Sequence, residues 1–239
     1  MKRNKFVISA LLLIGTNQQS WSQSGTYLGV TGFITNDLYA IKDNSSYLKQ
    51  VRLLSGAFGV VIRQELNKNL FFETGFDRKT YTQGIGYKDM LSYSGSNALS
   101  TWIVPVRVGH KLKLIKKLYV VPVVGFSVAI NEDYGHSGLG YGTSNSSQTS
   151  IEYSFTDSSG DKRIFTLLNA IVNLELDLQD IQLGIYSGRS FGFSTINQMD
   201  ITYSVNGSQP IKATSTSKGQ YWCYGFSIKY RISNLWKKE

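Results

Sequence analysis

The sequence predicts an all-β chain, an eight-stranded antiparallel up-and-down transmembrane β-barrel. Eight segments alternate between two kinds of residue with a period of two, the pattern of strands with two different faces. The connections between these segments are alternately short and long, as they are in transmembrane barrels with tight periplasmic turns and longer outer loops. The large hydrophobic side chains share one face of the segments and the charged side chains the other, so lipid on the outside is expected.

The first residues predict an export signal. Basic residues precede the apolar run Phe6–Gly15, and serines occupy the −3 and −1 positions before Gln23. This pattern is typical of a secretory signal peptide over residues 1–22, which leaves 23–239 for the barrel. The apolar run is too short for a membrane anchor, which needs roughly 20 residues.

Composition narrows the choice of function. The net charge of +9 includes the three basic residues of the signal. Export and the lack of a basic stretch interleaved with aromatic residues argue against a nucleic-acid partner. Cys223 is the only cysteine, so no internal disulfide can form. We expect no cofactor, and outer membrane lipids as the surrounding partner of the barrel.

The second segment shows the alternation most clearly, with Phe58, Val60 and Ile62 on one face and Ala57, Val61 and Arg63 on the other. The predicted strands are about Gly25–Thr35, Leu53–Gln64, Leu70–Tyr81, Ser100–Leu112, Leu118–Ile130, Arg163–Asp177, Asp180–Phe193 and Gln220–Ile232. Short turns are predicted near Asn67–Asn69, Lys113–Lys117 and Leu178–Gln179, and long outer loops at Asn36–Lys49, Gln83–Leu99, Asn131–Lys162 and Ser194–Gly219. An even strand count leaves both termini on the periplasmic side.

Two prolines interrupt predicted strands. Pro105 and Pro122 flank the same short turn at comparable distances, and proline removes a hydrogen bond from the ladder. We therefore expect one local bulge to accommodate both.

Charged residues of the strands are predicted to point into the lumen and to pair there. The predicted polar network of the lumen consists of Arg63, Glu73, Asp77, Lys79, Arg107, Glu175 and Lys229. An eight-stranded interior is just wide enough to be filled by side chains, so this network is interpreted as packing and not as an ion path.

Aromatic residues near the strand ends predict two girdles at the membrane interfaces. The predicted girdle positions are Tyr27, Phe71, Tyr119 and Tyr230 towards the short turns, and Trp102 and Trp222, with Phe33, Tyr81 and Phe191, towards the long loops.

Candidates for chemistry are few. His110 is predicted on the outer face, and His136 adjoins Ser137 in a loop without a third group to orient a catalytic pair. Glu132, Asp133 and His136 lack the regular spacing of a calcium loop. The sequence therefore predicts neither an enzyme nor a metal site.

The long outer loops are the better functional surface. Asn131–Lys162 and Ser194–Gly219 are rich in Ser, Thr, Asn, Gly and Tyr, a composition that suits polar recognition of a protein partner. Within Asn131–Lys162, the stretch SIEYSFTD alternates with a period of two, as a strand does. We therefore expect a hairpin that projects beyond the membrane.

Several segments carry a resemblance to a known family. TWIVPVRVGHKL (101–112), LYVVPVVGFSVAI (118–130) and LGIYSGRSFGFSTI (183–196) resemble strands of the outer membrane β-barrel domain family, the porin-like group of OmpX-type and PorT-like proteins. The resemblance covers about 25–232 and implies the outer membrane of a Gram-negative bacterium. The chain departs from such barrels at its end, where SNLWKKE follows Tyr230 and Ile232 in place of a terminal aromatic residue.

Four functions remain open at this stage. The first is a non-enzymatic structural or adhesin-like surface protein that acts through its outer loops. The second, implied by the resemblance, is a PorT-like membrane component of a secretion or gliding apparatus. A small-solute channel and a lipid-modifying enzyme rank third and fourth, and the oligomeric state stays undetermined.

Overall fold

The computed structural model describes residues 25–66, 69–88, 93–132, 137–143, 150–157 and 163–232. Over these residues the chain forms thirteen strands: β1 Thr26–Asp43, β2 Leu48–Val51, β3 Leu54–Glu65, β4 Leu70–Tyr87, β5 Tyr93–His110, β6 Leu112–Ile115, β7 Leu118–Asn131, β8 Ser137–Thr143, β9 Ser150–Asp157, β10 Ile164–Leu178, β11 Ile181–Gly192, β12 Asn197–Val205 and β13 Ile211–Arg231. Within the same residues we find no helix that is both long and apolar enough to cross a membrane. The predicted signal peptide lies outside the described residues.

Eight strands close into a ring in the order β1-β3-β4-β5-β7-β10-β11-β13, and β13 pairs back with β1. All neighbouring pairs in the ring are antiparallel, and the closing ladder runs from Tyr27 opposite Arg231 to Asp43 opposite Ala213. Each ring strand neighbours the ring strand that precedes it in sequence. The prediction of an eight-stranded up-and-down barrel is confirmed.

Short turns join the ring strands at one end. Gln179 adopts a positive φ of 67° in the turn between β10 and β11. The turn predicted at 113–117 is tighter than expected, because β6 (Leu112–Ile115) still pairs with β7. We call this the short-turn end, which in transmembrane barrels faces the periplasm.

The segments predicted as long loops at the opposite end contain regular strands. β1, β4, β5 and β13 continue past the barrel, and β2, β8, β9 and β12 are added to them. β9 holds the alternating stretch SIEYSFTD and pairs with β8 on one side and β12 on the other. We call these continued and added strands the outer extension. The described residues of the four outer connections are therefore largely folded β-structure.

A bulge in β13 divides the barrel from the outer extension. On the barrel side of the bulge, β13 pairs with β11, and this ladder ends at the pair Ser190–Tyr221. On the side of the outer extension, β13 pairs with β12, starting at the pair Asn197–Ser217. The register with β1 shifts at the same level. Gly219 has a φ of 71° there, a conformation that favours glycine.

The prolines do not produce the predicted bulge. The β4–β5 ladder loses two pairs beside Pro105 but resumes in the same register, and Thr74 Oγ1 donates to the Pro105 carbonyl at 2.8 Å. Pro105 still lies opposite Ser127 on β7, and Pro122 opposite Val172 on β10, without a register shift. Local loss of hydrogen bonds is thus tolerated where the ladders on either side hold the strands together.

The outer surface of the ring is apolar. Large hydrophobic side chains point outward and are strongly exposed, among them Phe58 (66%), Val124 (61%) and Ile185 (62%). Soluble monomers rarely expose a continuous apolar surface of this extent, whereas lipid-facing strands require one.

Among the described residues, the interior holds three clusters of apolar side chains. Apolar cluster 1 lies in the outer half of the ring and consists of Phe33, Ala57, Tyr81, Leu99, Ile103, Ala129, Phe165, Leu167, Ile196, Tyr221 and Cys223. Apolar cluster 2 lies in the outer extension and consists of Leu48, Ile85, Tyr87, Ile151, Met199, Ile201, Tyr203 and Ala213. Apolar cluster 3, near the short turns, consists of Phe71, Val121 and Val123.

Candidate functional site

The centre of the lumen is a network of ion pairs. Arg63 Nη1 donates to Glu175 Oε2 at 2.6 Å, and Arg63 Nη2 donates to Glu73 Oε2 at 3.0 Å. Lys229 Nζ lies 3.1 Å from Glu175 Oε2. The four residues come from β3, β4, β10 and β13, and Arg63, Glu175 and Lys229 are at most 1% exposed. Alternation on each strand places these side chains inward, and ring closure brings them together.

Arg107 extends this network towards the outer half of the ring. Its guanidinium lies 3.4 Å from Glu73 Oε1 and 3.6 Å from Asp77 Oδ2, and Asp77 also accepts a hydrogen bond from Thr31 at 3.3 Å. A small cavity of about 20 Å³ adjoins Arg107 and Asn173. Arg107 Nε and Asn173 Oδ1 are buried there without a partner among the described residues. A polar cavity of that size holds about one water molecule.

Sequence reasoning missed a second group of charges that fills the short-turn end. Lys111 Nζ donates to Glu65, and it lies 3.4 Å from Asp177 Oδ2 and 3.8 Å from Glu175 Oε1. Arg231 donates to the Tyr27 hydroxyl. The continued alternation after Arg63 and His110 is the signal that could have revealed Glu65 and Lys111.

Lys79 belongs to a separate pair in the outer half of the ring. Its Nζ donates to Asp37 Oδ1 at 2.7 Å and to Thr35 Oγ1 at 2.8 Å, and it lies 4.0 Å from the centroid of the Tyr81 ring. The remaining six predicted network residues lie together nearer the short turns. Asp37 was missed because the sequence assigned it to a loop, whereas β1 continues to Asp43.

Only part of the predicted aromatic girdle faces lipid. Tyr230 (45%) and Trp222 (38%) are exposed on the outer surface, and the outward Trp102 stacks on Phe76 with 4.8 Å between ring centroids. Phe191 also lies on the outward face, beside Arg189.

The other girdle assignments are corrected, because those side chains point inward. Tyr27 and Phe71 are fully buried, and Tyr119 packs against apolar cluster 3. Phe33 and Tyr81 belong to apolar cluster 1. The physical reason is the alternation of the strand, because residues two apart share a face. Phe71 therefore lies on the same inward face as Glu73, and the centroid of its ring lies 3.8 Å from the Arg63 guanidinium carbon.

A hydrogen-bonded turn closes the tip between β1 and β2. The Asp43 carboxylate accepts from the backbone of Ser45 (3.1 Å) and Leu48 (2.8 Å), and from the Tyr203 hydroxyl (3.0 Å). Burial by itself raises the pKa of Asp43, but these hydrogen bonds outweigh it, so the pKa lies below its ordinary value. The turn is therefore tied to β12 across apolar cluster 2.

The structure describes only some of the residues that the sequence offered as candidates for chemistry. His110 is exposed on the outer face, as its alternation predicts. His136 and Asp133 lie outside the described residues, and the side chain of Ser137 is not described either. Among the residues that are described, no three His, Cys, Asp or Glu side chains are close enough together to hold a metal ion.

A closed antiparallel ring with an apolar outer surface and a paired, filled interior defines a transmembrane β-barrel. No family model and no curated protein sequence matches the chain. Among solved structures, the outer membrane protein OprG from Pseudomonas aeruginosa is similar, with a TM-score of 0.51 and 10% identity over 87% of this chain and 97% of that one. This likeness shows the fold.

Two other outer membrane proteins are more distant. AlkL in lipid bilayers has a TM-score of 0.39 and 11% identity, over 87% of this chain and 92% of that one. Ail of Yersinia pestis has a TM-score of 0.33 and 10% identity, over 86% and 99%.

Proposed function

We propose that the chain is an exported, non-enzymatic outer membrane protein whose outer extension is a surface for interaction, in a structural or adhesin-like role. The observation that supports this most is apolar cluster 2. It gives the extension a core of its own, in which Ile151, Ile201 and Tyr203 are at most 2% exposed. Apolar burial of this kind stabilises a rigid surface above the membrane, where long loops alone would be mobile.

The filled lumen speaks against diffusion of solutes. Apolar cluster 1 crosses the outer half of the ring, with Tyr81 5.9 Å from Tyr221 and 6.2 Å from Phe165 between ring centroids. Towards the short turns, the ion pairs of Arg63 and Lys111 occupy the interior. The cavity beside Arg107 is of the size of a water molecule, far smaller than a metabolite.

A matched pair of variants on β12 tests the interaction role. Ile201→Asn places an amide in apolar cluster 2, whereas Thr202→Asn changes the neighbouring side chain, which is only partly buried. Cells that display the wild type are expected to bind one another, a surface or a matrix protein above the background of cells without it. Ile201→Asn is expected to lose this binding, and Thr202→Asn to keep it. A heat-dependent gel mobility shift checks that each barrel is folded.

Two results would contradict the proposal. One is binding by Ile201→Asn cells at the wild-type level, and the other is wild-type binding no greater than background. Stepwise conductance in a planar bilayer would favour a channel instead. A role in a secretion or gliding apparatus stays a prediction, and a loss of protein export on deletion of the chain would support it.

A further inference from the structure

Two arginines lie on the lipid-facing surface of the barrel towards its outer end. Arg78 is on β4 and Arg189 on β11, which are the third and seventh strands of the ring and so lie on opposite sides. Each guanidinium carbon lies over a tryptophan ring, at 4.9 Å from the centroid of Trp102 for Arg78 and 5.1 Å from that of Trp222 for Arg189. Both therefore lie at the level of the outer tryptophans.

The two arginines differ in their anionic partners. Arg78 Nη2 lies 3.3 Å from Glu132 Oε2. Over the described part of the chain, no carboxylate is within ion-pair distance of Arg189, and no side chain or carbonyl accepts a hydrogen bond from it. Its Nε is buried without such a partner. Arg189 thus carries a charge that the described residues leave uncompensated.

Neighbouring residues fix Arg189 in place. Its guanidinium carbon lies 4.8 Å from the centroid of the Phe191 ring, and Trp222 is its register partner on β13. Phe193, directly after the end of β11, is 68% exposed. An unpaired charge beside so much apolar surface is costly in a membrane, so a bound anion would stabilise it.

We propose that Arg189, between Phe191 and Trp222, binds a phosphate group on the head group of an outer-leaflet glycolipid. A guanidinium can donate two parallel hydrogen bonds to a phosphate, and the flanking rings leave acyl chains an apolar surface to pack on. Lys218, exposed at the bulge of β13, places a second cation on the side of the head groups. The site faces the bilayer, so the ligand arrives with the lipid and not from the lumen.

The test measures how much phosphorylated lipid A stays on the purified barrel. Wild type, Arg189→Gln and Arg78→Gln are refolded into phosphatidylcholine vesicles that contain lipid A, and bound lipid is counted by native mass spectrometry. We expect Arg189→Gln to retain about tenfold less lipid A, because it loses a charge-assisted hydrogen-bonding group. Arg78→Gln is the matched control. Because Arg78 already forms an ion pair with Glu132, we expect this variant to retain as much lipid A as the wild type.

Two further binding measurements identify the source of the phosphate. Dephosphorylated lipid A is expected to bind poorly to the wild type, and excess inorganic phosphate is expected not to displace the intact lipid. Equal retention by Arg189→Gln, equal binding of the dephosphorylated lipid, or displacement by inorganic phosphate would each overturn the proposal. The heat-dependent mobility shift shows that the variants are folded. Because the assay uses vesicles only, its outcome is independent of the proposed interaction role.

Discussion

Replacing Arg63 by methionine tests whether the ion pairs of the lumen hold the barrel together. Arg63 is 1% exposed and pairs with both Glu73 and Glu175. Removing one partner of a buried ion pair typically costs about 3–5 kcal/mol, because the remaining charge is left uncompensated. Here each carboxylate keeps a second cation, Arg107 at 3.4 Å for Glu73 and Lys229 at 3.1 Å for Glu175. We therefore expect a loss near the lower end, about 3 kcal/mol.

The free energy of unfolding can be measured by urea titration of the barrel in lipid vesicles, with tryptophan fluorescence as the signal. Arg78→Met is the control, because Arg78 pairs with Glu132 at the partly exposed surface, where an ion pair contributes about 1 kcal/mol at most. Arg63→Met leaves two cations, Arg107 and Lys229, for three carboxylates, so adding Glu73→Gln, which makes the numbers equal again, should recover about 1 kcal/mol or more of the loss. An effect of Arg63→Met no larger than that of Arg78→Met would refute the reasoning and indicate water in the lumen.

Three other predictions follow from close packing, pH and accessibility. Gly192→Ala should lower the free energy of unfolding clearly, since its Cβ would lie 1.5 Å from the Lys218 carbonyl oxygen, whereas Gly56→Ala, with open space around it, should be nearly neutral in the same titration. Because the pKa of Asp43 is lowered on folding, its stabilisation is complete above its ordinary pKa of 3.8 and is lost as the pH falls through the folded value. Limited proteolysis of the β1–β2 turn should accordingly increase in acid for the wild type, and Asp43→Asn should be cleaved at neutral pH as well; equal cleavage of the two at neutral pH would contradict this. Cys223, 5% exposed, should react with a maleimide only after unfolding in urea, and prompt labelling of the folded barrel would argue against the packed interior.

Much of the barrel could be predicted from the sequence because lipid and lumen impose different chemistry on alternate residues. The second predicted strand shows this division. Its lipid-facing side chains are Phe58, Val60 and Ile62, and the side chains that face the lumen are Ala57, Val61 and Arg63. The alternation of short and long connections then gives the up-and-down order, since short turns can join only neighbouring antiparallel strands.

The prediction of the girdle was wrong where it gave the type of a residue more weight than its position in the alternation. Tyr27 and Phe71 are aromatic and near strand ends, which favours a girdle, yet their parity places them inside. Phe71 packs against the Arg63 guanidinium, and Tyr27 accepts from Arg231. Counting from Glu73 along the strand would have assigned Phe71 correctly.

By itself the sequence determined the class of fold, the ring strands and the inward face that carries the charges, because these follow from local alternation and connection length. Only the tertiary structure decided which charges pair, since Arg63 and Glu175 are brought together by closure of the ring and not by proximity in the chain. Beyond the hairpin that SIEYSFTD predicts, it also decided that the described residues of the outer connections fold into strands around apolar cluster 2. Their polar, glycine-rich sequences have weak local preferences, and the core they share forms only when β2, β4, β9, β12 and β13 meet.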